Sequence, residues 1–207
     1  MSFLRFTLGV MSVLALSGLS RAEAPTAPAA STLDNLQAAF DGESNANARY
    51  VAFAKKADDE GYHQVASLFR AAATAEKIHA NNHAKVIIAL GAKPVANVLV
   101  PEVKSTRENL TAALAGESYE HDSMYPGFIA KADAEGLSKA VRTFKFAAAA
   151  EASHAKFYAD ALANLETWRD GTRSFYVCSV CGETLAALPD ARCPVCKAGK
   201  DKFETVT

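Results

Sequence analysis

Leu36–Ser44, LQAAFDGES, and Leu110–Ser118, LTAALAGES, are two copies of one phrase, and the residues downstream of each copy decide the fold. The first continues through AKKADDEG at Ala54–Gly61 to AEKIHA at Ala75–Ala80, and the second through AKADAEG at Ala130–Gly136 to AEASHA at Ala150–Ala155. Glu43, Glu76 and His79 therefore have counterparts in Glu117, Glu151 and His154, at offsets of 74, 75 and 75 residues. One residue has been gained within the second copy, and we place it near Tyr125-Pro126. A duplicated helical hairpin that brings matched ligands for two iron ions to one point is the simplest reading.

Apolar periodicity predicts four long helices, near Thr32–Glu60, Tyr62–Leu90, Ser105–Glu135 and Leu137–Trp168, with Gly61, Gly91 and Gly136 at ends that need a left-handed residue. Spacing tests whether the ligands meet. Glu43 lies 18 residues before the Gly61 corner and Glu76 lies 15 after it, which at the helical rise is ~27 Å out and ~22 Å back. The second hairpin repeats this, with 19 residues from Glu117 to Gly136 and 15 on to Glu151. Gly91–Lys104, with Pro94 and Pro101, is long enough to run the length of a bundle as a crossover. The expected class is all-α: a ferritin-like four-helix bundle over 32–168, then a small metal domain over 173–207.

Glu76 follows AAATA and Glu151 follows FAAAA, so both carboxylates face tightly packed interior. An ionised group buried alone costs several kcal/mol, so it takes up a proton or finds a cation. Two ferrous or two ferric ions bracket the five negative charges of Glu43, Glu76, Glu117, Glu120 and Glu151. Carboxylate oxygen with imidazole nitrogen suits iron or manganese. His63, His83 and His121 are expected to be solvated or to support the site from outside it.

Cys178-Ser-Val-Cys181 and Cys193-Pro-Val-Cys196 use every cysteine of the chain, 11 residues separating the two pairs. The spacing predicts one tetrahedral four-thiolate site holding iron or zinc, against a competing pair of disulfides. Tyr176 and Phe203 are candidates for its apolar cover, and Asp170-Gly171-Thr172 for the hinge.

A formal charge of -1 in 207 residues gives no electrostatic case for nucleic acid. Arg5, the apolar run from Phe6 to about Leu19 and the small residues Ser20, Ala22 and Ala24 read as a signal peptide over 1–24, with 25–31 as a flexible leader. That run is short for a retained membrane anchor. The expectation is export, to a periplasmic location.

GES with AEKIHA, GESYEHDSMYP, AEASHA and the two cysteine knuckles together resemble the rubrerythrins, over about Ser31–Thr207. The resemblance implies a di-iron peroxidase that reduces hydrogen peroxide to water. Glu76 and Glu151 would bridge the irons, Glu43 and Glu117 would be terminal ligands, and His154 would bind the second iron. The first iron would move between Glu120 and His79 with redox state, and Tyr50 and Tyr125 would line the site. It also implies an electron-donor protein or reductase as partner, and a homodimer in which the rubredoxin-like domain reaches the partner subunit's di-iron site. Two other classes stay open: an iron-oxidising ferritin-like protein, and a non-catalytic bundle with a structural zinc knuckle.

Overall fold

The structure is a computed structural model that describes residues 30–207, so the expected signal peptide and most of the leader lie outside the described residues. Helices α1 (Thr32–Asp59) and α2 (His63–Ala89) form the first hairpin. Helix α3 (Thr106–Tyr119), a π-helical segment (Glu120–Met124) and α4 (Tyr125–Ala134) make a continuous third rod, and α5 (Ser138–Ala163) is the fourth. The duplication extends to the starts of the hairpins, where Ser31 with Asp34 and Ser105 with Glu108 each form a capping box. Gly61, Gly91 and Gly136 end their helices at φ of 79°, 81° and 70°, as the sequence requires.

The inserted residue sits a little earlier than expected. It is absorbed by the π-turns of Glu120–Met124, ahead of Tyr125-Pro126. A π segment takes one more residue than an α turn and leaves the helix on either side in register. Tyr125 is thereby returned to the interior, opposite Tyr50 of the first copy.

The crossover joins no sheet, and its backbone is satisfied by α1. Gln37, Asp41 and Asn45, spaced by one turn, bond to it through Lys93 O and Val95 N, Asn97 N, and Asn97 O and Leu99 N respectively. Polar side chains at i, i+4 and i+8 line one stripe of a helix, which suits them to hold an extended strand of chain.

Two apolar clusters fill the bundle at either side of the acidic layer. One gathers Tyr50, Phe53, Phe69, Tyr158 and Trp168, and the other Leu36, Ile87, Tyr125 and Phe144. After α5 a 3₁₀ turn (Leu165–Trp168) and Gly171 at φ 73° reverse the chain. It returns as a three-stranded antiparallel sheet ordered β2 (Thr184–Leu185), β1 (Phe175–Cys178), β3 (Phe203–Val206). Phe175 packs against Phe157 and Trp168, pinning this small domain along α2 and α5 of its own chain. In the single chain this domain lies against its own bundle. Among the described residues no helix is long and apolar enough to cross a membrane.

Candidate metal centre

Four helices each deliver a carboxylate to the layer between the two apolar clusters: Glu43 from α1, Glu76 from α2, Glu117 from α3 and Glu151 from α5, all essentially buried. His79 and His154 stand one turn beyond Glu76 and Glu151 and are as deeply buried. Their side-chain donors fall into two groups, Glu43, Glu76, His79 and Glu151, and Glu76, Glu117, Glu151 and His154, each with donor atoms within 4.8 Å of one another. Glu76 and Glu151 belong to both groups. This is a pair of sites sharing two carboxylates.

The donor set fits metal. Glu43 Oε2, Glu76 Oε1, Glu117 Oε2 and Glu151 Oε1 are buried without a hydrogen-bond partner, one orphaned oxygen from each helix. Such groups are rare unless an ion satisfies them. The protonation pattern says the same. Burial, then the neighbouring carboxylates Glu76 and Glu117, push Glu151 well above the usual carboxylate range, and burial with Glu117 and Glu43 raises Glu76. Burial opposes ionisation of Glu43 and Glu117 too, but His79 and His83 hold Glu43 low, and Glu151, His154 and Tyr50 hold Glu117 low. Against the opposing effect of burial, the carboxylates draw protons onto His79 and His154. Replacing those protons by metal charge is the natural relief.

Each imidazole turns Nδ1 inward. His79 Nδ1 lies 2.9 Å from Glu76 and 3.1 Å from Glu151, and His154 Nδ1 lies 3.0 Å from Glu151 and 3.4 Å from Glu117. The outer nitrogens meet the small domain. His79 Nε2 is 3.2 Å from the carbonyl of Cys181, which can only accept, so Nε2 carries the hydrogen and Nδ1 keeps a lone pair for metal. His154 Nε2 is 2.9 Å from Thr184 Oγ1, whose own hydrogen goes to Gly182 O. The small domain thus sets the tautomer of both histidines.

The two tyrosines cross between the copies. Tyr50 donates to Glu117 and Tyr125 donates to Glu43, each phenol from one hairpin holding a carboxylate of the other. Burial and the surrounding carboxylates keep both phenols protonated, far above their ordinary range. His83 and Tyr158, one turn past His79 and His154, are the supports that the sequence reading undervalued. His83 is fully buried, 3.2 Å from the Tyr125 hydroxyl and 3.1 Å from Thr143 Oγ1, and burial lowers its pKa. Tyr158 meets the Tyr50 ring edge-on at 5.8 Å. The repeat offset that paired His79 with His154 also pairs these two, and was the signal available. His63 and His121 are at the surface, beside Asp58 and Asp122.

Of the expected di-iron ligands, Glu120 alone stands outside both groups. Its carboxyl is on the wall of a cavity of about 780 Å³ that also touches Asn45, Arg49, Leu99 and Ala115. Burial and then Glu43, Glu151, Glu117 and Glu76 push its pKa well up, so it is near enough to feel the whole cluster.

Cys178, Cys181, Cys193 and Cys196 come together as a third group. The Sγ pairs Cys178–Cys196 and Cys181–Cys193 are 3.6 Å apart, too far for disulfides and right for a shared ion. Hydrogen bonding from Cys181 lowers Cys178 to about 5 against the effect of burial, so one thiolate is favoured before any metal binds.

A ferritin-like bundle with two carboxylate–histidine groups sharing two glutamates, capped by a four-cysteine knuckle, defines a di-iron carboxylate protein with a rubredoxin-like domain. The rubrerythrin family model matches residues 34–162, and the rubrerythrin rubredoxin-like domain matches 176–204. Nigerythrin of Nitratidesulfovibrio vulgaris is 41% identical over 176 residues, 84% of this chain and 85% of that protein. Rubrerythrin-2 of Clostridium acetobutylicum is 36% identical over 84% of this chain and 96% of its own length. The solved structure of fully reduced, all-ferrous nigerythrin superposes with a TM-score of 0.79 at 37% identity, covering 89% of this chain and 98% of that one. The chain belongs to the rubrerythrin family. It carries a di-iron carboxylate–histidine site and a rubredoxin-like four-cysteine site for which iron is the consistent metal.

Proposed function

We propose that this protein is a peroxidase that reduces hydrogen peroxide to water, with electrons relayed from the four-cysteine domain. One observation carries the reading: the outer nitrogen of His79 is hydrogen-bonded to the backbone of Cys181, so the one-electron thiolate site abuts the two-metal site. When bound, two ferrous ions supply the two electrons that, with two protons, convert one peroxide to two waters without releasing a radical.

In this reading Glu76 and Glu151 would hold both metals, Glu43 and His79 would complete the first group, and Glu117 and His154 the second. Tyr50 and Tyr125 fix the outer carboxylates Glu117 and Glu43 by hydrogen bonds across the hairpins, which keeps the ligand cage in place while its charge changes. Glu120 is assigned the exchange with His79. It lines a cavity bounded by α1, the crossover and α3, which in this reading is the way in for a molecule as small as peroxide.

We also infer that the protein works as a homodimer and that 1–24 direct its export, so that its electron donor is a carrier outside the cytoplasm. N-terminal sequencing of fractionated cells checks the export reading: an intact Met1 in the cytoplasmic fraction would end it.

The activity is tested by mixing the anaerobically reduced, iron-loaded protein with one equivalent of hydrogen peroxide and following oxidation by rapid-mixing absorbance. Full oxidation within milliseconds to seconds supports the peroxidase. Faster reaction with oxygen than with peroxide, together with continuous oxidation of added ferrous iron, would support the iron-oxidising class instead. A colourless four-cysteine site containing zinc in protein from its native host would sink the electron relay.

A further inference from the structure

We propose that the cleft between α2, α5 and the cysteine knuckle is the docking surface for a negatively charged one-electron carrier protein. This rests on reading the four-cysteine domain as the electron entry. Cations and anions are evenly matched in the chain, 22 to 23, but they are not evenly placed. No carboxylate occurs between Glu76 and Glu102 or between Glu135 and Glu151, whereas Lys77, Lys85, Lys93, Lys139, Arg142 and Lys145 all fall within those gaps.

Three of these cations gather at one place. Lys85, Lys139 and Arg142 line a cleft of about 320 Å³ together with Asn82, Phe146 and Val180. All three are exposed, and none takes part in an ion pair among the described residues. Among the described residues the only polar side-chain contact of Lys85 is with Asn82 Oδ1, at 3.4 Å. Several surface cations elsewhere are paired, Lys55 with Asp59, Lys56 with Glu60, Arg70 with Asp58 and Lys131 with Glu135. Three unpaired charges around one cleft make a field that a carboxylate-rich partner would satisfy.

The cysteine knuckle borders the cleft through Val180. Val180 lies between Cys178 and Cys181, and its carbonyl accepts from Asn82 Nδ2 at 2.9 Å, which ties the knuckle to α2 here. The half-buried Phe146 packs directly against the cysteine cluster and lies under the Arg142 guanidinium, 5.1 Å from ring centre to carbon. A carrier seated on the three cations would therefore stand beside the thiolate site, with Phe146 and Val180 between it and the cysteine cluster. The transfer is one electron per encounter: the carrier's reduced iron or flavin is oxidised, the thiolate-held ferric ion becomes ferrous, and no bond or proton moves.

The test uses the full iron-loaded chain and a reduced flavodoxin-type protein of net negative charge as donor, with no peroxide present. Reduction of the thiolate iron, followed at its visible absorbance, should slow at least about tenfold as ionic strength is raised, and about tenfold or more in the variant Lys85→Glu/Lys139→Glu/Arg142→Glu at low salt. Lys55→Glu, a single charge reversal on α1 away from the cleft, should leave the rate as it was. Reduced methyl viologen, a small cation, should reduce the triple variant no more slowly than the unaltered protein, which separates lost docking from a damaged iron site. Calorimetric binding of the same carrier to the redox-inert zinc-loaded chain should weaken in parallel. A rate independent of salt, or an undiminished rate and affinity in the triple variant, would overturn the docking surface. Neither outcome touches the single-turnover reaction with peroxide, which tests the peroxidase reading separately.

Discussion

His79 Nε2 and the carbonyl oxygen of Cys181 are 3.2 Å apart, although the residues are separated by 102 positions and belong to different metal sites. The contact works in two ways. It fixes the hydrogen of His79 on the outer nitrogen, and it joins the thiolate domain to a ligand of the bundle through one hydrogen bond. Its closeness depends on Gly182. A Cβ on that residue would stand 2.2 Å from His79 Nε2, and its φ of 82° is in the left-handed region that side chains disfavour.

Gly182→Ala is therefore expected to push the thiolate domain off α2 while leaving the four cysteines able to bind metal. The visible spectrum of the thiolate iron should persist, amide exchange should rise along α2 around His79, and transfer of electrons from the thiolate site to the oxidised bundle should slow at least about tenfold. A 1 Å displacement at a prepared site is enough for losses of that order. An unchanged transfer rate would show that electrons do not use this contact.

Both crossed tyrosines should contribute to stability. Tyr50→Phe and Tyr125→Phe each remove a buried donor from a carboxylate, Glu117 and Glu43 respectively. Loss of a hydrogen bond to a charged buried group costs about 1–3 kcal/mol, which urea unfolding of the metal-free protein would register. The second variant also strands His83, whose Nε2 faces the Tyr125 hydroxyl, so its loss should be no smaller than the first.

Much of this was legible because the chain repeats itself. A 74- and 75-residue offset between Glu43, Glu76, His79 and Glu117, Glu151, His154 is a long-range statement written in local text, and helical rise converts it to matching depth. The same offset paired His83 with Tyr158, but single polar or aromatic residues on a helix carry no sign of whether they face core or solvent. The π segment was visible only as one surplus residue, because sequence counts residues and not the hydrogen bonds that absorb them. The position of the thiolate domain could not be read at all. It depends on Gly171 reversing the chain and on Phe175 finding Phe157 and Trp168, contacts among residues with no periodic signal.

The hairpins are also tied to each other by their ends, and this gives an acid sensitivity independent of the metal site. Glu60, after α1, accepts from Thr106 N at the start of α3, and Glu135, after α4, accepts from Thr32 N at the start of α1, at 2.8 and 3.1 Å. Bonds from Thr106 and then Lys56 hold Glu60 at about 2, and bonds from Thr32 and Lys131 hold Glu135 at about 2. Both folded values lie below the ordinary 4.5. The stabilisation is thus complete above that value and is lost as pH falls from there towards 2. Urea midpoints measured over this range should fall more steeply for the unaltered protein than for Glu60→Gln/Glu135→Gln, with the two converging at the acid end. Both carboxylates are partly exposed to solvent, so high salt should shrink the difference.

Glu120 provides the sharpest test of the redox reading. It opens the π segment one turn after Glu117, on the wall of the cavity between α1, the crossover and α3 and outside both ligand groups. Glu43, Glu76, His79 and Glu151 make a complete group without it, so Glu120→Ala is expected to bind two irons and to fold normally, with an unchanged helical spectrum. Removing one of five neighbouring carboxylates also relieves repulsion, since Glu43, Glu151, Glu117 and Glu76 all raise its pKa, so the metal-free variant should be no less stable than the parent. The deficit should appear only on oxidation. Without a carboxylate to exchange for His79, the first site keeps a neutral ligand when its charge rises. Single-turnover oxidation by peroxide should then slow by about 10²-fold or more, the scale seen when one group that stabilises developing charge is removed. Glu120→Asp, which keeps the charge on a shorter arm, should recover part of the rate. Peroxide oxidation of Glu120→Ala at the unaltered rate would leave the carboxylate exchange without support and return Glu120 to the role of a cavity wall.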